Sequence, residues 1–283
     1  MRRMRLAYRI LNVFTVDGDA LSGNPLCVFE NGRELDAARM QALARQLNLS
    51  ETTFVLPSER ATARVRIFTP SYEMSFAGHP TLGTAHVVRA LGGGDALTLE
   101  LPAGIVPVTA HGDRWTLRAA KAPATRAPAG SREQLASMLA LPAAALDGDP
   151  LWVDTGTAQL VIPLVSADHV RAARPVPELL ATFGRRDDAE SMAYVVARDG
   201  DHLLVRFFFS QRGAILEDPA TGSACANLGG YYLATGRALP ISETLHQGAQ
   251  ALRPSHLGLH VDAARAIHVT GAVVELGGGA FTI

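Results

Sequence analysis

The hexapeptide Pro-Thr-Leu-Gly-Thr-Ala at residues 80–85 recurs as Pro-Ala-Thr-Gly-Ser-Ala at residues 219–224. Each copy follows a predicted strand that begins with arginine, Arg66-Ile67-Phe68 and Arg206-Phe207-Phe208. The glycines of the two copies are 139 positions apart (222 minus 83), about half of the 283 residues. Because both features recur at this spacing, they indicate an internal duplication. The duplication predicts two similar α/β domains across a pseudo-two-fold axis, each presenting a helix N terminus to the cleft.

Strand-like and helix-like segments mix in both halves of the chain, so we expect an α+β fold with two domains. Residues 121–130 are rich in proline and alanine and lack hydrophobic periodicity, which predicts the start of the connection. We therefore place an N-terminal domain at 1–125 and a C-terminal domain at 126–283, with the active site in the cleft between them. We allow for the last strand of the chain crossing back to the N-terminal domain.

Three helices have clear sequence signals. Asp36 is a good N-cap for a helix whose apolar residues fall at helical spacing, and Asn48 can end it. A second helix is expected from Pro80, because proline is favoured in the first turn of a helix. A third is expected from Pro219 to about Thr235. Short strands account for most of the remaining periodic segments.

The two repeated turns predict an anion-binding site. A helix N terminus carries unpaired backbone N–H groups and the positive end of the helix dipole. Residues 78–80 and 218–219 form the turns, Gly83 and Gly222 let the backbone approach a ligand, and Ser223 adds a hydroxyl. A substrate carboxylate could be held there without lysine or arginine. Each turn taken singly fits an ordinary capped helix, with its histidine or aspartate as the cap, but the repetition favours the anion site.

Glu51 is the candidate proton carrier. It lies where the first predicted helix gives way to an apolar strand at 52–56. A carboxylate beside a buried strand has its charged form disfavoured, which would raise its pKa into a range useful for acid–base chemistry. Most glutamates near a helix end are solvated, so this local pattern is weak support by itself.

The composition excludes several classes of protein. The formal net charge is −1 and no basic run appears, which argues against a nucleic-acid partner. No stretch is long and apolar enough for a membrane helix, and no signal peptide is visible. Cys27 and Cys225 are the two cysteines, without a CxxC pair, which excludes a cysteine zinc site and suits a reducing compartment. We therefore expect a cytoplasmic protein with no metal.

The ordered set of short motifs along the whole chain resembles the phenazine-biosynthesis PhzF-like family. The motifs are Gly23-Asn24-Pro25, Leu49-Ser50-Glu51-Thr52, the run at 76–83 (FAGHPTLG), the run at 217–224 (EDPATGSA), Gln247-Gly248 and Arg253-Pro254-Ser255. The resemblance implies the diaminopimelate-epimerase-like fold, in which each domain is a mixed sheet or barrel around a central helix. It also implies a homodimer. One departure is Ser75, where the family often has proline.

The same resemblance implies the roles of the candidate site residues. Glu51 matches the general acid/base of the family, and His79 and Asp218 match its other catalytic polar residues. Ser223, with Gly78 and Gly222 through their backbone groups, matches the substrate-binding positions. The implied activity is a cofactor-free isomerisation, in which one carboxylate moves a proton on a small carboxylate-bearing substrate.

Other functions remain as alternatives. An amino-acid racemase or epimerase of this fold needs two opposed cysteines, and residues 76–83 contain none. Ser223, His79 and Asp218 are residue types of a hydrolase triad, but the G-x-S-x-G pattern is absent. The His256 and His260 pair lies on a predicted strand and lacks the partners of a metal site. A non-catalytic protein that binds a small acid is the last alternative.

Overall fold

A computed structural model describes residues 3–186, 190–211 and 213–283. Its strands are β1 (Arg5–Val13), β2 (Asn24–Phe29), β3 (Glu51–Leu56), β4 (Ala63–Phe68), β5 (Glu73–Met74), β6 (Ala96–Leu101), β7 (Gly104–His111), β8 (Arg114–Arg118), β9 (Ala124–Arg126), β10 (Leu151–Asp154), β11 (Ala158–Pro163), β12 (Met192–Asp199), β13 (His202–Gln211), β14 (Ala214–Asp218), β15 (Ile241–Gln247), β16 (Ser255–Val261) and β17 (Ile267–Thr282). Its helices are α1 (Ala37–Leu47), α2 (Gly78–Ala90), α3 (Arg132–Met138), α4 (Ala167–Ala172), α5 (Pro177–Phe183) and α6 (Gly222–Ala234), with short 3₁₀ turns at Ala143–Ala145 and Ala249–Ala251.

The chain divides into two units. One contains Met1–Ala120 together with His268–Ile283, and the other contains Lys121–Ile267. The boundary therefore follows Ala120, whereas the sequence predicts it after residue 125. It lies earlier because the proline- and alanine-rich stretch contains β9, which pairs with β10 of the second unit. The last strand belongs with the first unit, because β17 pairs with both β1 and β8.

Within the described residues, eight strands of the first unit close into a barrel in the order β17, β1, β2, β3, β4, β6, β7, β8 and back to β17. The pairs β2–β3 and β4–β6 are parallel, and the others are antiparallel. Helix α2 provides the crossover between β4 and β6 and packs against strands of the barrel. It is hydrophobic and almost entirely buried, as expected for a helix surrounded by a sheet.

Helix α1 shows how local signals set the ends of an element. The side chain of Asp36 accepts a hydrogen bond from the backbone N–H of Arg39 at 2.8 Å, which confirms the predicted N-cap. Asn48 adopts the left-handed conformation at the C-cap, as predicted. The apolar face of α1, with Met40 and Leu43, packs on a cluster that includes the stacked rings of Phe29 and Phe54.

The second unit repeats the connectivity of the first. Its strands pair in the order β9, β10, β11, β12, β13, β15 and β16, and β14 forms a hairpin with β13. The parallel pairs are β11–β12 and β13–β15, and α6 connects β13–β14 to β15 as α2 connects β4–β5 to β6. Helix α6 is also almost entirely buried. The predicted α+β fold is confirmed.

The duplication extends to side chains. Arg66 of β4 makes two hydrogen bonds, of 2.7 and 2.6 Å, with the carboxylate of Glu73 on β5. Arg206 of β13 makes the same pair of bonds, of 3.0 and 2.7 Å, with Glu217 on β14. Each guanidinium also lies over the phenylalanine ring two residues further along its strand. A bidentate pair fixes the relative position of both groups, so the two hairpins that precede α2 and α6 share one design.

Among the helices that the structure describes, none is long and apolar enough to cross a membrane.

Candidate active site

Glu51 is the first residue of β3, where it lies opposite Leu26 in the parallel pair with β2. The left-handed turn at Asn48 ends α1 and redirects the chain into this strand within three residues. As a result the carboxylate is mostly buried, with 15% of its side-chain surface exposed. The sequence pattern left open whether Glu51 is solvated, and its position at the start of a core strand explains the burial.

His79 lies beside Glu51 in the first turn of α2. Its Nε2 atom is 3.4 Å from Oε2 of Glu51, and its Nδ1 atom is 3.3 Å from Nδ2 of Asn24. The imidazole is buried. Burial lowers the pKa of His79 from 6.5 to about 3, because the protonated, charged ring is poorly solvated there. The backbone hydrogen bond with Pro25 raises the pKa and offsets this effect only in part. His79 is therefore neutral near pH 7 and acts there as a hydrogen-bonding group rather than a cation.

The depressed pKa of His79 predicts acid lability. Between pH 6.5 and 3 the unfolded chain binds a proton that the folded chain does not, so the free energy of unfolding falls as the pH falls. For this one group the slope is about 1.4 kcal/mol per pH unit. His79→Gln should remove that contribution and flatten the dependence, measured by urea denaturation at a series of pH values. The same exchange at exposed His111 is the control, and equal slopes for His79→Gln and the parent protein would contradict this account.

Asp218 is the last residue of β14, and its backbone carbonyl and its carboxylate both accept hydrogen bonds from a network around Gln247. The amide of Gln247 accepts from the backbone N–H of Thr221 at 3.1 Å and donates to the backbone carbonyl of Asp218 at 2.9 Å. The same Nε2 donates to Oγ1 of Thr221 at 2.9 Å. The Thr221 hydroxyl therefore has its own hydrogen left for Oδ2 of Asp218, 2.5 Å away. The Thr221 hydroxyl thus links Gln247 to Asp218 and fixes the position of the carboxylate.

Helices α2 and α6 both begin without a side-chain cap among the described residues. Their N-cap residues are Ala77 and Thr221, and neither side chain bonds to the first turn. Neither His79 nor Asp218 is therefore the N-cap residue of its helix. Helix α6 also starts at Gly222 rather than at Pro219, because Thr221 has a non-helical backbone conformation (φ −112°, ψ 87°) and is itself the N-cap residue. The N–H groups of Gly78 and His79 in α2, and of Gly222 and Ser223 in α6, have no intrahelical acceptor and can donate to a ligand.

Ser223 lies in the first turn of α6, and its hydroxyl accepts a hydrogen bond of 2.8 Å from Nε2 of Gln159 on β11. Gln159 in turn accepts from Nδ2 of Asn227 at 2.7 Å. These three side chains are buried. Gln159 and Asn227 are not predicted from the sequence, because a neutral amide has no local signature and these bonds join residues 64 and 68 positions apart.

One glycine of the repeated hexapeptide has a different role from the one predicted. A side chain at Gly83 would meet Leu26 at 2.5 Å and Val13 at 3.0 Å, inside the barrel. The absence of a Cβ at Gly83 therefore serves the packing of α2 against β1 and β2, and not the approach of the backbone to a ligand.

The cysteines are poorly placed for proton transfer by thiols. Cys27 on β2 and Cys225 on α6 are both buried with no exposed surface. Burial raises the pKa of Cys27 to about 12 and also raises the pKa of Cys225. Since the thiolate is the reactive form of cysteine, this arrangement counts against the racemase alternative.

The candidate residues thus form two groups. In the first unit, Glu51 and His79 are neighbours, and Gly78 opens α2 immediately before His79. In the second unit, Asp218 precedes the turn into α6, where Gly222 and Ser223 are the first two residues of the helix.

Comparison with known proteins identifies the family. The family described as phenazine biosynthesis-like protein matches residues 11–282. An uncharacterised isomerase from Pasteurella multocida is 35% identical over 96% of this chain and 93% of its own length. The trans-2,3-dihydro-3-hydroxyanthranilate isomerase of Pseudomonas aeruginosa is 33% identical over 93% of this chain and 95% of its own length.

Solved structures agree with the fold. A phenazine biosynthesis protein of the PhzF family from Bacillus anthracis is 26% identical, with a TM-score of 0.83 over 100% of this chain and 99% of that chain. A hydroxyproline epimerase from Agrobacterium vitis has a TM-score of 0.66 over 99% of this chain and 93% of that chain, at 13% identity, which is a likeness of fold alone. The family match over nearly all of the sequence decides the assignment: the chain belongs to the phenazine biosynthesis-like protein family and is an isomerase of that family.

Proposed function

We propose that this isomerase moves a proton within a small cyclic substrate that carries a carboxylate, with Glu51 as base and then as acid. A C–H bond of the substrate breaks, its electron pair enters the adjacent π system, and the proton goes to Glu51. Glu51 then returns the proton to a different carbon, so that the product is an isomer of the substrate and no cofactor takes part. The observation that carries this proposal is the buried Glu51 carboxylate 3.4 Å from Nε2 of a neutral histidine.

The neighbouring groups support the assignment of Glu51. His79 is uncharged near neutral pH, so it can hydrogen-bond to Glu51 or the substrate without fixing the carboxylate in a strong ion pair. Asp218 is assigned to the orientation of polar groups on the substrate. Gly78, Gly222 and Ser223 are assigned to binding its oxygens, because backbone N–H groups at a helix start and a hydroxyl suit an anion.

The relatives indicate which substrate to try first. The relative from Pseudomonas aeruginosa is named for trans-2,3-dihydro-3-hydroxyanthranilate, which is a ring with a carboxylate, and we propose this compound or a close analogue as the substrate. The epimerase alternative is disfavoured by the two buried thiols, whose pKa values are raised by burial.

An assay with two substrates in D₂O tests the proposal. The purified protein is incubated with trans-2,3-dihydro-3-hydroxyanthranilate or with trans-4-hydroxy-L-proline, and both reactions are followed by NMR. We expect a shift of the ring double bonds in the first compound and no loss of the α-proton signal in the second. Exchange and epimerisation of hydroxyproline would replace the proposal with the epimerase alternative. Tight binding of the first compound without turnover would favour the binding protein.

A further inference from the structure

The amide of Asn227 has one permitted orientation. Its Oδ1 accepts from the backbone N–H of Thr155 at 2.9 Å, and its Nδ2 donates to the backbone carbonyl of Thr157 at 2.8 Å. A backbone N–H can only donate and a carbonyl can only accept. The usual ambiguity between the oxygen and nitrogen of a side-chain amide is therefore removed at Asn227. The hydroxyl of Thr155 adds a further bond to Oδ1 at 2.7 Å.

The orientation of the Asn227 amide determines that of the Gln159 amide, and so the direction of the hydrogen bond at Ser223. Because Nδ2 of Asn227 is a donor, the atom of Gln159 that lies 2.7 Å from it must be the oxygen. The other end of the Gln159 amide is then Nε2, which donates to Oγ of Ser223 at 2.8 Å. The serine oxygen accepts this bond, so its own hydrogen points elsewhere. No residue in the described part of the chain accepts that hydrogen.

We propose that Asn227 and Gln159 are positioning residues that leave the hydrogen of the Ser223 hydroxyl free to be donated to a substrate oxygen, where an ionised carboxylate accepts more strongly than a neutral amide. The inference rests on the proposed function, in which Ser223 binds the substrate. The side chains of Gln159, Ser223 and Asn227 are at most 5% exposed. Water does not reach these buried side chains. If one amide were turned over, two donors or two acceptors would face each other without a hydrogen bond, which costs free energy.

Among the described residues of the first unit, the hydrogen bond at the equivalent position has no fixed direction. Thr84 occupies the place of Ser223 in the repeated hexapeptide. Its Oγ1 lies 2.8 Å from Oγ1 of Thr53, and either hydroxyl can be the donor. The repeats have thus diverged, and the geometry assigns the carboxylate of the substrate to the start of α6.

Exchanging a donor for an acceptor at position 159 tests the relay. In Gln159→Glu, one carboxylate oxygen still accepts from Asn227, and the other takes the hydrogen of Ser223. Binding of anthranilate, an unreactive ring carboxylate, should then weaken by about 10- to 100-fold, as expected for a lost bond to a charged group. Gln159→Met deletes the donor but leaves the serine hydroxyl free to turn toward the ligand, so it should bind anthranilate better than Gln159→Glu does. Isothermal titration calorimetry measures both.

Three controls distinguish the direction of the Gln159–Ser223 hydrogen bond from a simple effect of packing at position 159. In a Ser223→Ala background the change to glutamate should have no further effect on affinity. The parent protein should prefer anthranilate to anthranilamide. A neutron structure of the deuterated, unliganded protein should show the deuterons of Gln159 directed at Ser223.

The inference fails if Gln159→Met is the worse of the two variants, or if anthranilate binds no better than anthranilamide, including the case in which neither binds. It also fails if the Ser223 deuteron points at Gln159. All of these tests measure binding or proton positions and none requires turnover. Their outcome can therefore be distinguished from a failure of the isomerase assay, which measures proton transfer by Glu51.

Discussion

Replacing Glu51 with glutamine should lower kcat by about 10²- to 10⁴-fold, the usual contribution of a positioned general acid–base group. Glutamine keeps the shape of the side chain and its place at the start of β3. It cannot accept or return a proton at the working pH, so the reaction loses its proton carrier while the packing around residue 51 is kept. Affinity for anthranilate and the thermal unfolding midpoint should change little. Stopped-flow or NMR assays of turnover, together with calorimetric binding, measure these quantities.

The control for this variant is Glu59→Gln, an identical change at an exposed glutamate that follows β3. It should leave kcat unaltered. Near-normal turnover in Glu51→Gln would show that another group carries the proton. A collapse of both folding and binding would show that the carboxylate is needed for structure.

Gly248→Ala should destabilise the second unit by about 2–5 kcal/mol, the combined cost of a strained backbone and of overpacking. Gly248 has a φ of +79°, and a Cβ there would lie 2.2 Å from the carbonyl oxygen of Arg253 and 2.4 Å from that of Pro219. These neighbours are backbone atoms and cannot move aside cheaply. Pro219 directly follows Asp218, so we also expect kcat to fall in whatever fraction of the protein folds.

Gly236→Ala is the matched control for this change. Its φ is +76°, and a Cβ at this site has no heavy atom within 4 Å in the described structure. The control therefore carries the cost of the left-handed backbone without the collision. Urea denaturation and assays at equal folded concentration should rank the parent protein first, Gly236→Ala second and Gly248→Ala last. Equal unfolding midpoints for the two variants would refute the steric argument.

The sequence predicts those parts of the molecule whose signals are local. The ends of α1 follow from Asp36 and Asn48, because capping involves neighbours within a few residues. The duplicated hexapeptide predicts two related helices, and α2 and α6 have matching places in their units. The family resemblance supplies the candidate residues as a set, which composition and periodicity alone could not do.

The errors arise where distant residues override local preference. Pro219 satisfies the usual rule for a helix start, yet Thr221 has non-helical backbone angles in a turn that the distant Gln247 bridges, and the helix begins at Gly222. The stretch that resembles a linker contains β9, because β10 provides a strand edge for it to pair with. Gln159 and Asn227 stand out only when their hydrogen bonds are known.

The pairing of β17 with β1 and β8 has a consequence for the order in which the protein is made. Synthesis of the chain delivers all of Lys121–Ile267 before the strand that completes the barrel. The second unit can therefore fold while the barrel of the first unit still lacks β17, with the edges of β1 and β8 unpaired. The half of the molecule that carries Glu51 is begun first and finished last.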